Sequence, residues 1–301
     1  MLRHELLTLL VAFASIPAVA NPPEQRVVLG VLENVPGKYV GEPDSRRVRV
    51  VFEKRGDSWR PFRSNCPTQH CLKTIASEYP REVAWTIAFD GKNLGKVTGR
   101  TPKVFDFYSE VGLQDITSIG LVPTVGNKSP EYGGLHRDAV VRPLIANSQP
   151  YFKDPEVWKP ARLSTALVSA LHQQFRKKFP NVTNCATPEE NIPKPWPYRE
   201  QDIEITKAYS SKKDWSLAQL DLKESRCDGF PDAAFIGQWF VINPEGHIAF
   251  LRQDMWLVDA GDYDNDGKSE VVFAIEGDNK GGYVLYYDDF KKHVAFEFGY
   301  H

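Results

Sequence analysis

The feature that most constrains the fold of this chain is a series of short apolar segments joined in pairs by turn sequences. Each pair consists of two runs rich in Val, Ile, Phe, Trp or Tyr, separated by four or five residues. These residue types favour strands, and a short connection rich in Gly, Asp, Asn or Ser favours a β-hairpin. The predicted pairs are 48–53 with 58–60, 83–89 with 94–97, 203–209 with 215–222, 239–242 with 247–250, and 283–287 with 293–298. The pattern predicts a mainly β protein.

One segment has helical rather than strand periodicity. Its apolar residues recur at four-residue spacing, at Leu163, Leu167, Leu171 and Phe175. Ser164 is suited to cap the helix at its start, and Pro180 ends it. We expect one amphipathic helix whose apolar face packs on the β core.

A run of acidic residues lies between two strand-like segments, in residues 261–270. Ca²⁺ takes six to eight oxygen ligands at about 2.3–2.6 Å, and carboxylates at alternate positions of a tight loop can converge on one ion. Gly267 permits the sharp turn that such a loop needs. The predicted metal ligands are Asp262, Asp264, Asp266, the backbone carbonyl of Lys268, and Glu270. The alternative is a hairpin turn that uses Asp, Asn and Gly only for their backbone preferences.

The loop does not fit an EF-hand, because the residue at the twelfth loop position is Phe273 and the flanking segments favour strands. It resembles instead the loop of FG-GAP/VCBS-type repeats, as in integrin α-subunits, in a single copy near residues 254–300. The resemblance implies a Ca²⁺-binding loop between neighbouring strands of a propeller blade. We therefore expect a propeller-like arrangement of antiparallel hairpins, with another β sandwich or barrel as a close alternative.

The N-terminal residues 1–20 have the pattern of a signal peptide. An apolar run from Leu6 to Ile16 is followed by Ala18-Val19-Ala20, a small-residue cleavage sequence. No later stretch is apolar enough to span a bilayer. The sequence predicts a secreted or periplasmic protein without a membrane span.

Pro-rich stretches on either side of the predicted helix indicate a division of the remaining chain. We expect a β-rich N-terminal lobe over 21–150, a helix and Pro-rich connection over 151–200, and a β-rich C-terminal lobe over 201–301. A single domain over 21–301 is the alternative.

The chain has four cysteines, and export favours disulfides over metal–thiolate sites. The pairing that we favour is Cys66 with Cys71, closing a short loop over 67–70, and Cys185 with Cys227. The spacing alone leaves three connectivities open.

The composition and the sequence motifs exclude some classes of function but do not identify one. The formal net charge of −2 argues against nucleic acid as a partner, since such binders usually have a basic excess. Recognised catalytic sequence motifs are missing, and His136 with Asp138 is the most plausible acid–base pair. We therefore lean against an enzyme and expect a calcium-stabilised protein that binds an unknown protein or glycan, or has a structural role. An exported hydrolase with structural calcium and a site in residues 122–160 is the alternative. Candidate contact residues are the aromatic side chains of Trp59, Trp196, Trp215 and Trp239.

Overall fold

The computed structural model describes residues 26–35, 45–64, 68–100, 110–117, 122–125, 142–150, 152–185, 194–223, 237–277 and 279–299. The predicted signal peptide and His136 and Asp138 lie outside these residues. The described part of the chain is mainly β, as predicted, and its strands form one closed barrel, two open sheets and a short separate hairpin.

Six strands of the N-terminal part close into an antiparallel barrel, in the order β1-β7-β4-β5-β6-β2 with β2 pairing back to β1. A further strand, β3, extends β2 as a hairpin. The strands are β1 (Val27–Val35), β2 (Ser45–Arg55), β3 (Ser58–Pro61), β4 (Val83–Phe89), β5 (Lys92–Gly99), β6 (Leu113–Thr117) and β7 (Leu144–Asn147).

The barrel closes because β1 pairs along both of its edges, with β2 on one side and β7 on the other. The register of β1 against β2 shifts between Leu29 and Gly30, where the strand bends. A Cβ at Gly30 would lie 2.8 Å from the carbonyl oxygen of Arg49 and from a methyl of Val48. Only glycine therefore allows the two strands to approach this closely at the bend.

The C-terminal part forms two antiparallel meanders. The five-stranded sheet has the order β14-β13-β12-β11-β8 and the four-stranded sheet the order β15-β16-β17-β18, while β9 and β10 pair as a separate hairpin. The bounds are β8 (Lys159–Pro160), β9 (Val182–Asn184), β10 (Lys194–Trp196), β11 (Ile203–Ser210), β12 (Ser216–Leu222), β13 (Gln238–Ile242), β14 (Ile248–Arg252), β15 (Met255–Gly261), β16 (Glu270–Gly277), β17 (Lys280–Tyr287) and β18 (Lys292–Gly299). All five hairpins predicted from the sequence are present, as β2–β3, β4–β5, β11–β12, β13–β14 and β17–β18.

The structure has two α-helices in the described residues, α1 (Gln69–Glu78) and α2 (Thr165–Lys178). Helix α2 is the predicted amphipathic helix, and the Ser164 side chain caps it by accepting a hydrogen bond from the backbone N–H of Leu167. Helix α1 was not predicted. It begins where Thr68 accepts a hydrogen bond from the N–H of Cys71, so Gln69 and His70 are helical rather than part of the expected loop over 67–70.

The two described cysteines lie in α1 and directly after β9. Neither Cys71 nor Cys185 is a free thiol, and no disulfide joins the two. Because Cys66 and Cys227 lie outside the described residues, the pairings Cys66–Cys71 and Cys185–Cys227 stay predictions.

The elements stack in four layers. The buried face of α2, with Leu171 and Phe175, packs on one face of the five-stranded sheet at Phe240. The opposite face of that sheet packs through Trp239 on Phe273 of the four-stranded sheet. Residues of the other face of the four-stranded sheet, such as Val272, Leu285 and Phe296, belong to the same hydrophobic cluster as the barrel. The four-stranded sheet is thus buried on both sides, between the five-stranded sheet and the barrel.

The barrel, which was the alternative prediction, accounts for the strands of residues 27–147, and no ring of blades is present in the described part of the chain. The hairpins were predictable from local sequence, but their assembly depends on pairings such as β1–β7, which join residues more than 100 positions apart. The barrel and the four-stranded sheet share one hydrophobic core. The proposed domain boundaries at 150 and 200 stay predictions. Neither helix described here is long and apolar enough to cross a membrane.

Candidate metal centre

The predicted calcium loop is the turn that joins β15 to β16. Gly261, the last residue of β15, pairs with Glu270, the first residue of β16, so that the intervening residues form a closed loop. Asn265 has a φ of 63° and Gly267 a φ of 88°. Both residues are among those that adopt left-handed backbone most readily, which explains their presence at these two positions.

Three of the predicted ligands converge. One carboxylate oxygen from each of Asp262, Asp264 and Glu270 lies within 4.8 Å of the others. The side chains are shielded from solvent, since Asp262 is 6% exposed and Glu270 only 2%. Asp266, in contrast, is exposed and is not part of this group; its Oδ1 accepts a hydrogen bond of 2.8 Å from the N–H of Lys268.

Backbone N–H groups of the loop hold the converging carboxylates in place. The N–H groups of Asp266 and Gly267 donate to the two oxygens of Asp262, each at 2.9 Å. The N–H of Tyr263 donates to Oε2 of Glu270 at 2.8 Å. A carboxylate has about four lone-pair positions, so each of these side chains keeps positions for a cation.

The loop lies against the barrel rather than in open solvent. The side chain of Asn147, at the end of β7, donates a hydrogen bond of 2.8 Å to the carbonyl oxygen of Tyr263. The Tyr263 ring stacks on Phe152 with 5.4 Å between centroids. A Cβ at Gly261 would lie 2.2 Å from the Phe152 ring, so this glycine is required for the approach. These contacts between protein groups hold the loop against the barrel without a bound ion.

A cation from the barrel reaches the loop, which the sequence did not reveal. Lys54, at the end of β2, forms an ion pair with Asp264, although the two residues are 210 positions apart. Burial acts to lower the pKa of Lys54, but the hydrogen bond to Asp264 and the charges of Asp264, Glu270 and Asp266 outweigh it and raise the pKa. No local sequence pattern marks Lys54, because its role follows only from the docking of the loop on the barrel.

Burial and mutual repulsion disfavour the ionised form of the acidic side chains in the loop. Burial raises the pKa of Glu270 well above its ordinary value, and the negative charge of Asp264 adds to this effect. Burial also raises the pKa of Asp262. Ionised, these carboxylates therefore carry an unfavourable free energy that a bound cation would remove.

The side chain of Lys268 forms ion pairs outside the converging carboxylates, while its role as a backbone-carbonyl ligand stays a prediction. Its Nζ contacts Asp289 at 2.8 Å and Asp288 at 3.3 Å in the turn between β17 and β18. The loop is thereby tied to the neighbouring hairpin of the same sheet.

The hydrolase site predicted within residues 122–160 is only partly described. Arg142 donates hydrogen bonds to the carbonyl oxygens of Leu257 and Val258, and Asp154 accepts from Ser269 Oγ at 2.7 Å. These polar groups connect this segment to β15 and to the metal loop. His136 and Asp138 lie outside the described residues, so their catalytic role stays a prediction.

The four tryptophans considered as contact residues divide into two groups. Trp59 and Trp239 are 1% and 0% exposed and belong to the core. Trp196 and Trp215 are partly exposed. Of the four, only these two are accessible to a partner.

Comparisons of this chain with protein-family profiles, with curated proteins and with solved structures find no match.

Proposed function

We propose that this protein is an exported, calcium-stabilised β protein with a binding or structural role rather than a catalytic one. The observation that carries the proposal is the convergence of the Asp262, Asp264 and Glu270 carboxylates within 4.8 Å at the turn between β15 and β16.

The spacing of these oxygens is suited to calcium. With Ca²⁺–oxygen distances of about 2.3–2.6 Å, two ligands on opposite sides of the ion lie about 4.6–5.2 Å apart. These distances are compatible with contact of one ion with all three carboxylates. Carboxylate oxygens are hard ligands, which Ca²⁺ prefers.

The charge of the loop also favours a divalent cation. Asp262, Asp264, Asp266 and Glu270 bring four negative charges when ionised, and Lys54 is the cation in contact with the converging carboxylates in the described residues. A Ca²⁺ ion would neutralise most of the remaining charge. Because Asp262 and Glu270 are buried, water does little to screen their repulsion.

The position of the loop means that a bound ion would stabilise contacts between several parts of the fold. The loop holds β15 to β16, contacts the barrel through Asn147 and Lys54, and contacts the β17–β18 turn through Lys268. An ion that fixes the loop would therefore stiffen the junction between the barrel and the four-stranded sheet.

Two features of the sequence agree with this proposal. A loop of this pattern between neighbouring antiparallel strands is similar to FG-GAP/VCBS-type repeats, in which case β15–β18 would be a single blade-like unit. The leader over residues 1–20 directs the chain to a compartment where calcium is abundant enough for a site of moderate affinity. The partner in such a role would be a protein or a glycan.

The test is the melting temperature of the purified protein in EDTA and in millimolar calcium. We expect calcium to raise it, because a ligand that binds only the folded state stabilises that state by about 2.7 kcal/mol at 100 times its Kd. Magnesium should raise it less, since Mg²⁺ requires shorter bonds and gives up its water reluctantly.

Asp264→Asn should abolish the rise, because it removes a converging charge with little change of shape. Asp57→Asn, in the exposed β2–β3 turn, is the matched control and should keep the full rise. Equal melting curves for the wild type in EDTA and in calcium would falsify the proposal.

A further inference from the structure

A groove on the outermost layer of the molecule has the chemistry of a second binding site. It has a volume of about 500 Å³ and is lined by Arg176, Lys177, Pro180, Trp196, Pro197 and Tyr198. These residues come from the C-terminal end of α2, the residue pair that follows it, the last residue of β10 and the two residues after that strand. Sites for small ligands commonly have about 300–1,000 Å³. The groove is thus large enough for one or two sugar rings.

The floor of the groove is aromatic and held in place by the core. Tyr198 is 9% exposed, and its ring meets that of Phe175 edge-on at 6.0 Å. The partly exposed ring of Trp196 lies 6.2 Å from that of Tyr198. With Pro180 and Pro197 beside them, these rings provide flat apolar surfaces whose orientation does not depend on a ligand.

The rim of the groove is basic. Arg176 and Lys177 are exposed, and neither side chain forms an ion pair or hydrogen bond with another residue in the described ranges. None of the six lining residues in the described part of the chain is acidic. Other exposed basic side chains, such as that of Lys92, also have no ion pair in the described residues, but Arg176 and Lys177 lie beside an aromatic surface. The unpaired charges at the groove therefore favour an anionic occupant.

We propose that this groove binds an acidic oligosaccharide, through stacking of a sugar ring on Trp196 and ion pairs from Arg176 and Lys177 to its carboxylate or sulfate groups. The C–H face of a sugar ring carries a positive partial charge, which suits the negative face of an indole. Arg can pair with a planar carboxylate or a sulfate through two parallel N–H groups. This inference rests on the binding role proposed above and names its ligand class.

The test measures binding to a hexamer of galacturonate, which has carboxylates only, and to a heparin hexasaccharide, which also has sulfates. Maltohexaose supplies neutral sugar rings, and a hexaglutamate peptide supplies carboxylates without sugar. We expect either or both acidic saccharides to bind, with an affinity that falls as salt is raised, and the neutral saccharide and the peptide to bind at least tenfold more weakly. The stronger of the two saccharides identifies the anionic group.

Arg176→Gln combined with Lys177→Gln should weaken binding roughly tenfold or more, since each removes a charge-assisted contact. Lys92→Gln, an exposed change on the barrel, is the matched control and should leave binding intact. Trp196→Ala should also weaken binding, with Leu94→Ala, at an exposed apolar position of the barrel, as its control; the melting temperature of each variant verifies its fold.

Binding that survives the double substitution, or hexaglutamate binding as tight as that of the saccharides, would overturn the proposal, as would no binding of either acidic saccharide. The groove lies on the α2 side of the five-stranded sheet and the metal loop on the four-stranded sheet. All measurements are therefore made in calcium and in EDTA, so that failure of the groove and failure of the calcium proposal are read separately.

Discussion

The two faces of the four-stranded sheet are both buried, yet they are held by different kinds of contact. Successive residues of β16 and β17 alternate between the two faces, as the period of a strand requires. Towards the five-stranded sheet, Phe273 meets Trp239 edge-on at 4.9 Å. Tyr286, on the neighbouring strand of the four-stranded sheet, lies edge-on to Phe273 at 5.8 Å and enlarges this aromatic cluster. This face resembles the interior of a simple β sandwich.

Towards the barrel, the same sheet makes polar contacts within an apolar surround. The hydroxyl of Tyr283 donates to Glu33 at 2.8 Å, and Glu33 also pairs with Arg49. Asp259 accepts a hydrogen bond of 3.1 Å from the N–H of Asp90. Apolar contacts are tolerant of orientation, whereas hydrogen bonds are not. We infer that both faces stabilise the fold by apolar burial, and that the directional contacts of the barrel face help to determine how the sheet, and with it the metal loop, is placed on the barrel.

The largest effect should come from the apolar face. Phe273→Ala removes a fully buried ring from the centre of the aromatic cluster, and we expect the free energy of unfolding to fall by about 3–5 kcal/mol. Urea titration followed by tryptophan fluorescence measures the change. Leu94→Ala, at a position 36% exposed, is the control and should cost far less. A loss below about 1 kcal/mol for Phe273→Ala would mean that this interface contributes little to stability.

The second prediction concerns the buried carboxyl group of Asp259, on the face of the sheet that contacts the barrel. Burial raises the pKa of Asp259 to about 7 from its ordinary 3.8, although the N–H groups of Asp90 and Ala260 and the charge of Arg142 act to lower it. The folded protein therefore holds a proton on Asp259 that the unfolded chain releases. As pH rises from about 4 to about 7, stability should fall, and it should level off above the folded pKa.

Asp259→Asn keeps the acceptor for the Asp90 N–H and removes the charge. Because each pKa unit corresponds to about 1.4 kcal/mol, we expect this variant to be more stable than the wild type by a few kcal/mol at pH 8 and nearly equal at pH 4. The difference between the two unfolding free energies across pH isolates Asp259 from the other acids. A difference that is constant with pH would show that Asp259 does not titrate in this window.

The smallest effect concerns a single hydrogen bond of the polar face. Tyr283→Phe removes the hydroxyl that donates to Glu33, and we expect a loss of about 1 kcal/mol, since Glu33 keeps its partner Arg49. Tyr287→Phe, on the same strand and the same face, is the control, because no hydrogen bond from its hydroxyl is found in the described residues. Equal free energies of unfolding for the two variants would show that the Tyr283–Glu33 hydrogen bond does not contribute measurably to stability.

The sequence predicted what depends on neighbours along the chain. The helix α2 with its Ser164 cap, the five hairpins and the sharp turn at Gly267 all follow from local residue patterns. The converging carboxylates of Asp262, Asp264 and Glu270 were also predicted, because their spacing within one loop decides it.

What escaped prediction depends on distant parts of the chain. The barrel closes through β1 and β7, and no local pattern specifies that pairing. Lys54 reaches the metal loop only because the four-stranded sheet docks on the barrel. Asp266 was placed with the ligands by its position; its carboxylate accepts a hydrogen bond from the N–H of Lys268 and lies outside the converging group, so its role as a ligand stays a prediction. Position along a loop predicts which residues can converge, and the surrounding packing decides which do.

The docking of the loop on Lys54 and Asn147 has a consequence for the order of events in folding. Contacts across 210 and 116 residues are late events, because the intervening chain must be brought together before such contacts form. A chain that ends before residue 263 contains the barrel hairpins but lacks the loop partners of Lys54 and Asn147. The contacts between the loop and the barrel therefore form only after both the N-terminal strands and the C-terminal hairpins are present.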